Sequence, residues 1–334
     1  MSSGMQRRDF LRLGAGLLAA AALPFPSRAD GVAESRIGKA WRLERALVTE
    51  FWPNRVGLGL ADALDAALDW EIPATSQLVI RLTDGAHRLG RPISIRHPHA
   101  QRIAIRGNAS MPELCRLLWD GPEDAIFAGA GIHLGEIDGV SIEHANPATR
   151  GAGSALLAEH GGSIRCGKAV LLRNFYYGAQ ARFGGSIHCR GVHCFNAGDA
   201  GFFAFSGGHL DAVNAVSIGA NDAPRKLGSG FVAEYGGTIN AEGATARQNA
   251  LAGFAALSNG AIRAYRSITE RNGHAGYMAR SGGVIVAHDG STLRNCGSGI
   301  VVHDTNSAVE ANRLVNMNNH AAPHSCVTSP PPAV

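Results

Sequence analysis

Lysine is nearly missing from this chain: Lys39, Lys168 and Lys226 are the only three, and arginine supplies the remaining positive charge. The formal charge of +4 belongs mostly to the first 29 residues, where Arg7, Arg8, Arg12 and Arg28 stand against Asp9, so the rest carries +1. A near-neutral chain has no electrostatic case for nucleic acid or an anionic membrane surface as a partner. No apolar run reaches the roughly 18 residues of a membrane-spanning helix; Leu13 to Leu23 is too short, and no transmembrane segment is expected. Cys-x-x-Cys is missing, and the 14 histidines show no ligand spacing, so no structural metal and no cofactor are expected. Aromatics are scarce at 6 % beside 43 glycines, a balance that suits one elongated domain.

What is present is a repeat. From Ala155 to about His320 the chain returns on itself about every 23 residues, in units opening at Ala155, Gly178, Gly201, Gly230, Gly253, Gly276 and Gly299. A Gly-Gly or Asn-Gly pair usually follows six residues on, as at Gly184-Gly185 and Asn259-Gly260; the third unit carries extra residues between Ile218 and Ser229. A fixed period of this size marks a solenoid, whose units bury their apolar faces only against one another. Leu156, Ala179, Phe202, Phe231, Phe254, Tyr277 and Ile300 share one offset, with Ala158, Ala181, Ala204, Ala233, Ala256, Ala279 and Val302 two residues on. That alternation is a strand with two inward side chains. After the glycine pair, a second strand brings Ile164, Ile187, Leu210, Ile239, Ile262 and Ile285 inward, followed by Cys166, Cys189 and a run of alanines. Two cysteines in an alanine column read as small buried side chains and argue against a disulfide there. A third strand ends near Asn174, Asn249, Asn272 and Asn295, where stacked asparagines bond the turn and one another. Three strands and three turns per unit make one coil of a parallel β-helix. With less regular coils from Leu78 onward, about ten are expected.

The register can be tested within the sequence. Coils stacked about 4.8 Å apart bring opposite charges together at Glu159 with Arg182, Arg247 with Glu270, and Arg266 with Asp289.

Outside the repeats, Gln6-Arg7-Arg8-Asp9-Phe10-Leu11-Arg12 resembles the twin-arginine export signal, with a small-residue cleavage site at Ser27-Arg28-Ala29. The resemblance implies a bacterial chain exported folded by the twin-arginine translocase, hence periplasmic or secreted. The organisation is therefore a signal peptide at 1–29, an N-terminal extension at 30–58, the β-helix at 59–320 and a disordered tail at 321–334 carrying Pro330-Pro331-Pro332. Leu60, Leu64, Ala67 and Leu68 have helical spacing and predict an amphipathic helix capping the open end of the solenoid.

Leu78-Val-Ile-Arg-Leu-Thr-Asp-Gly85, Pro92-Ile-Ser-Ile-Arg-His-Pro98 and Arg102-Ile-Ala-Ile-Arg-Gly107 look like the opening coils of the pectate-lyase-like superfamily, particularly its phage tailspike-like members. With the Gly-Gly-x-Ile-x-Ala coils, the resemblance spans about residues 58–320 and implies an all-β, right-handed parallel β-helix. That superfamily holds polysaccharide lyases, glycoside hydrolases, epimerases and non-catalytic tail or adhesion proteins, so the resemblance implies carbohydrate contact without fixing a reaction. The lyase pattern Arg-x-Pro-x-x-Arg is matched only loosely by Arg96 to Arg102, one residue too long, and the polygalacturonase motifs are missing.

Candidate chemistry lies on outward faces. The first strand presents Glu159, Arg182, Phe203, Phe205 and Glu234, followed by Tyr235; the second presents Arg165, His188, Asp211 and Asn240 at one offset. Glu159 and Glu234 are three coils, about 14 Å, apart, too far for a glycosidase pair needing about 5 to 9.5 Å. Arg182 neutralising a substrate carboxylate, His188 as base and Asp211 as its orienter are the catalytic candidates; Phe203, Phe205, Glu234 and Tyr235 are the substrate-binding ones. A plain solvated ladder is the competing reading of the same columns. Glu136 and Asp138 form a short acidic patch beside a turn. The outward apolar stripe of Leu157, Phe203, Val232, Met278 and Val301 has three uses: cover by residues 30–58, packing in a homotrimer, or stacking on sugar rings. The expectation is a non-catalytic polysaccharide-binding or adhesion scaffold, with a lyase or hydrolase of an acidic polysaccharide as the alternative.

Overall fold

The computed structural model describes residues 59–147, 153–222 and 227–319, together with Pro53 and the strands Arg36–Ile37, Ala40–Arg42 and Val48–Phe51. The proposed signal peptide and C-terminal tail lie outside the described residues. Three parallel sheets of nine, eleven and ten strands run the length of the molecule. The first extends from Ile93–Ile95 to Ile300–Val302, the second from Val48–Phe51 to Ala308–Glu310, and the third from Gly85–Arg88 to Val315–Met317. Successive strands of one sheet belong to successive coils, so the chain forms a right-handed parallel β-helix.

The core is the set of columns read from the sequence. Phe202, Phe231, Phe254 and Tyr277 are buried and stack in one pile, with centroids 4.8, 4.7 and 5.5 Å apart and planes within 15° of parallel. Burying each such ring is worth about 1.5–3 kcal/mol, and ring pairing adds about 0.5–1.5 kcal/mol. The isoleucine column of the second sheet is likewise in register.

The glycine pairs between first and second strands meet two separate demands. Gly184 has φ 76°, which L side chains rarely adopt. Its partner Gly185 has no room for a side chain: a Cβ there would lie 2.2 Å from the Ala158 carbonyl oxygen of the preceding coil.

The asparagine ladder is present at three of the four expected positions. Each Nδ2 of Asn249, Asn272 and Asn295 donates 2.9 Å to the Oδ1 of the next member, and the last acceptor is Asn319. Asn174 is outside it. It occupies the preceding, left-handed position (φ 62°), and the ladder position in its coil is held by buried Phe175. Among the charge pairs, Arg182 Nε donates 2.6 Å to Glu159 Oε2 as expected. Arg247 and Glu270 are aligned, but Glu270 meets Arg271 and Arg294. Arg266 binds Glu242, and Asp289 binds Arg313. The register is right but two of the pairs exchange partners, because a long turn arginine can reach a carboxylate in its own coil or either neighbour.

Cys115, Cys166, Cys189 and Cys194 are free and buried, and burial pushes the Cys115 thiol up to about 11. Cys296 is disulfide-bonded, a pairing that the spacing argument did not anticipate. It stands beside Asn295 in a turn, away from the alanine column on which that argument rested.

The helix is found at Leu60–Ala66 and continues as a 3-10 turn, Ala67–Asp69. Leu60, Ala61, Ala63, Leu64 and Ala67 join the main core, whereas Leu68 is only half-buried. Arg91 fastens the helix to the first coil through Asp65 at 2.6 Å. From the extension, Val48–Phe51 pairs parallel with Gln77–Arg81 and forms the first strand of the second sheet.

Candidate functional site

The last outward position of each first-sheet strand carries Glu159, Arg182, Phe205, Glu234, Leu257 and Arg280 in successive coils. The next residue turns the corner with positive φ: His160, Phe183, Ser206, Tyr235, Ser258 and Ser281. The left-handed conformation suits Gly and Asn and is unusual for a bulky side chain, at a cost of roughly 1–2 kcal/mol. Phe183 and Tyr235 nonetheless stand there 44 % and 59 % exposed. They recover no core burial in exchange.

These side chains join a continuous aromatic band. His160 stacks on Phe183 at 5.4 Å, Phe183 meets Phe205 edge-on at 6.0 Å, and Phe205 meets Tyr235 edge-on at 5.3 Å. Behind them, Phe205 touches Phe203, which lies flat on Tyr177 at 4.8 Å. The Arg182 guanidinium, paired with Glu159, lies 5.7 Å from the Phe183 centroid. Glu234 sits between Phe205 and Leu257 in its column, and burial, with Asp199 contributing, raises its carboxyl above the ordinary range. The Tyr177 phenol is pushed far up by burial and by the neighbouring charge of Asp199.

Four of the residues singled out from the sequence therefore converge at this rim: Arg182, Phe205, Glu234 and Tyr235. Phe203 lies beneath it, 6 % exposed, in a second apolar cluster with Val232, Met278 and several alanines. The outward stripe is thus buried within the single chain and presents little open surface to a second subunit or a sugar.

The proposed catalytic trio is divided. His188 and Asp211 are neighbours in the second sheet, but His188 Nδ1 and Asp211 Oδ2 are 3.7 Å apart, beyond hydrogen-bond reach. Asp211 accepts instead from Arg190 Nε at 2.6 Å and Asn240 Nδ2 at 3.2 Å. Arg182 lies on the first sheet with Glu159, and among the described residues no hydrogen bond or ion pair links it to either partner. Glu136 and Asp138 both grip Arg106. In the Arg96 to Arg102 stretch, His97 is buried against the Trp70 carbonyl and Arg102 donates to that of Ile72, so this stretch braces the helix exit.

Sequence reasoning missed His160, Phe183, Tyr177 and Asp199. The usable signal for two of them was an aromatic or histidine directly before a glycine pair, where a turn ordinarily takes Gly, Asn or Ser. A polar cleft of about 620 Å³ at the turn between second and third sheets was also missed; Glu242, Tyr265, Arg266, His288, Asp289 and Arg313 line it. No helix among the described residues is long and apolar enough to cross a membrane. No family model matches this chain, and no curated protein sequence matches it.

Proposed function

We propose that this protein is an exported polysaccharide-binding scaffold that holds its ligand against the Phe183, Phe205, Glu234 and Tyr235 rim without turnover. The observation that supports it is the pair of exposed rings held at left-handed backbone positions. Ring faces of this kind stack on the apolar faces of sugars, and the flanking carboxylates and guanidinium offer hydrogen bonds to hydroxyls. Membership of the pectate-lyase-like superfamily, beside its tailspike-like members, and export by the twin-arginine translocase to the periplasm or beyond belong to the same reading and rest on sequence motifs. The homotrimer drew on the outward stripe, which the chain buries itself, and forms no part of it. The lyase or hydrolase alternative needs Arg182, His188 and Asp211 on one substrate, and their division between two sheets weighs against it.

Affinity electrophoresis through gels containing neutral, acidic and amino-sugar polysaccharides tests the proposal. Retention that Phe183→Ala and Tyr235→Ala abolish is expected, with no new reducing ends or unsaturated uronate. Turnover of any polymer, lost in His188→Ala, would overturn the scaffold reading. Retention of Arg7→Lys/Arg8→Lys protein in the cytoplasm tests the export route.

A further inference from the structure

Glu159 and Arg182 neutralise each other across adjacent coils at 2.6 Å. Glu234 has no such partner: among the described residues it makes no ion pair, and its column neighbours are the apolar Phe205 and Leu257. The nearest arginines in that column, Arg182 and Arg280, are each two coils away, about 10 Å, and the first is already engaged. The rim therefore carries one carboxylate without an ion-pair partner among the described residues, in register with Phe205 and directly before Tyr235 in the chain.

Different sugars would meet this arrangement differently. A uronate would set a second carboxylate against Glu234 in a partly desolvated place, where like charges repel more strongly than in water. A neutral sugar would cover Glu234 without supplying the missing charge. An ammonium within about 6 Å of a ring face gains cation–π attraction as well as the ion pair. We infer that the rim takes a cationic glycan, a polymer of amino sugars with free amines, whose ammonium is received by Glu234 beside the Phe205 and Tyr235 rings. This rests on the polysaccharide-binding proposal and names a ligand of opposite charge to the acidic polysaccharide of the enzyme alternative. A lysine-rich peptide shares the ammonium, but it lacks the broad, rigid ring faces that Phe183 and Tyr235 are held out to meet.

The test is calorimetric titration of the exported protein near neutral pH with soluble glucosamine oligomers, their fully N-acetylated counterparts, galacturonate oligomers and polylysine. The expected result is binding of the free amines, at least about tenfold weaker binding of the acetylated sugar and of polylysine, and none of the uronate. Glu234→Gln should lose about tenfold, whereas Glu242→Gln, which removes the same charge from the distant cleft, should bind as the parent does. A cooperative melting transition, no lower for Glu234→Gln than for the parent, establishes that both variants fold. Equal or better binding of acetylated sugar, uronate or polylysine, or an unaffected Glu234→Gln, would overturn the amino-sugar assignment. Failure of every glycan to bind would instead overturn the scaffold reading beneath it.

Discussion

The first and second turns of this solenoid share a backbone and differ in what they display. Both place successive residues at positive φ: His160, Phe183, Ser206 and Tyr235 on the first, Asn214, Gly243, Arg266, Asp289 and Arg313 on the second. On the second turn the charges are matched, Arg266 to Glu242 and Arg313 to Asp289, and Tyr265 is sandwiched between Arg263 and His288. On the first, two rings face outward and Glu234 stands without a counter-ion among the described residues. Polar ladders that close on themselves fasten coil to coil; groups left open at an energetic cost are what supports the proposal of a ligand surface on the first turn.

Experiments that break or sharpen this contrast fall in order of size. Phe231→Ala removes the middle of the pile beneath both turns and should cost about 3–5 kcal/mol by urea unfolding, the first and second turns loosening together under hydrogen exchange. Asn272→Ala leaves the Nδ2 and backbone N–H of Asn249 without their acceptor, a loss of about 1–3 kcal/mol by the same method. Tyr235→Gly relieves the left-handed strain and should gain about 1 kcal/mol while polysaccharide retention disappears. Arg266→Ala, at an exposed pair, should cost less than about 1 kcal/mol, shrink further in salt, and leave retention unchanged. Glu234 supplies a pH signature. Its folded pKa is raised, so its contribution favours folding in acid and is lost as pH rises through that pKa. Glu234→Gln should accordingly melt higher than the parent at neutral pH, the difference vanishing below the ordinary carboxylate range.

The fold was legible because each column repeats one kind of side chain: rings over rings at Phe202, Phe231 and Phe254, aliphatics over aliphatics at Ile239 and Ile262. Position-by-position detail was less so. Asn174 fell one residue off the ladder because a left-handed turn residue and a ladder residue are adjacent, and asparagine suits both. Two of the three ion pairs found other partners because an arginine's reach exceeds the coil spacing. At the rim, alternation exposed Phe205 and Glu234, whereas Phe183 and His160 follow the strand and were read as turn. That Glu234 lacks a counter-ion depends on Leu257 beside it, a fact of stacking that periodicity alone does not convey.

The most direct test is affinity electrophoresis of Phe183→Gly/Tyr235→Gly beside the parent across neutral, acidic and amino-sugar polysaccharides, with melting temperatures measured on the same samples. The account predicts a variant that melts higher and is no longer retained. A variant retained as strongly as the parent, or a parent that no polysaccharide retards, would contradict it.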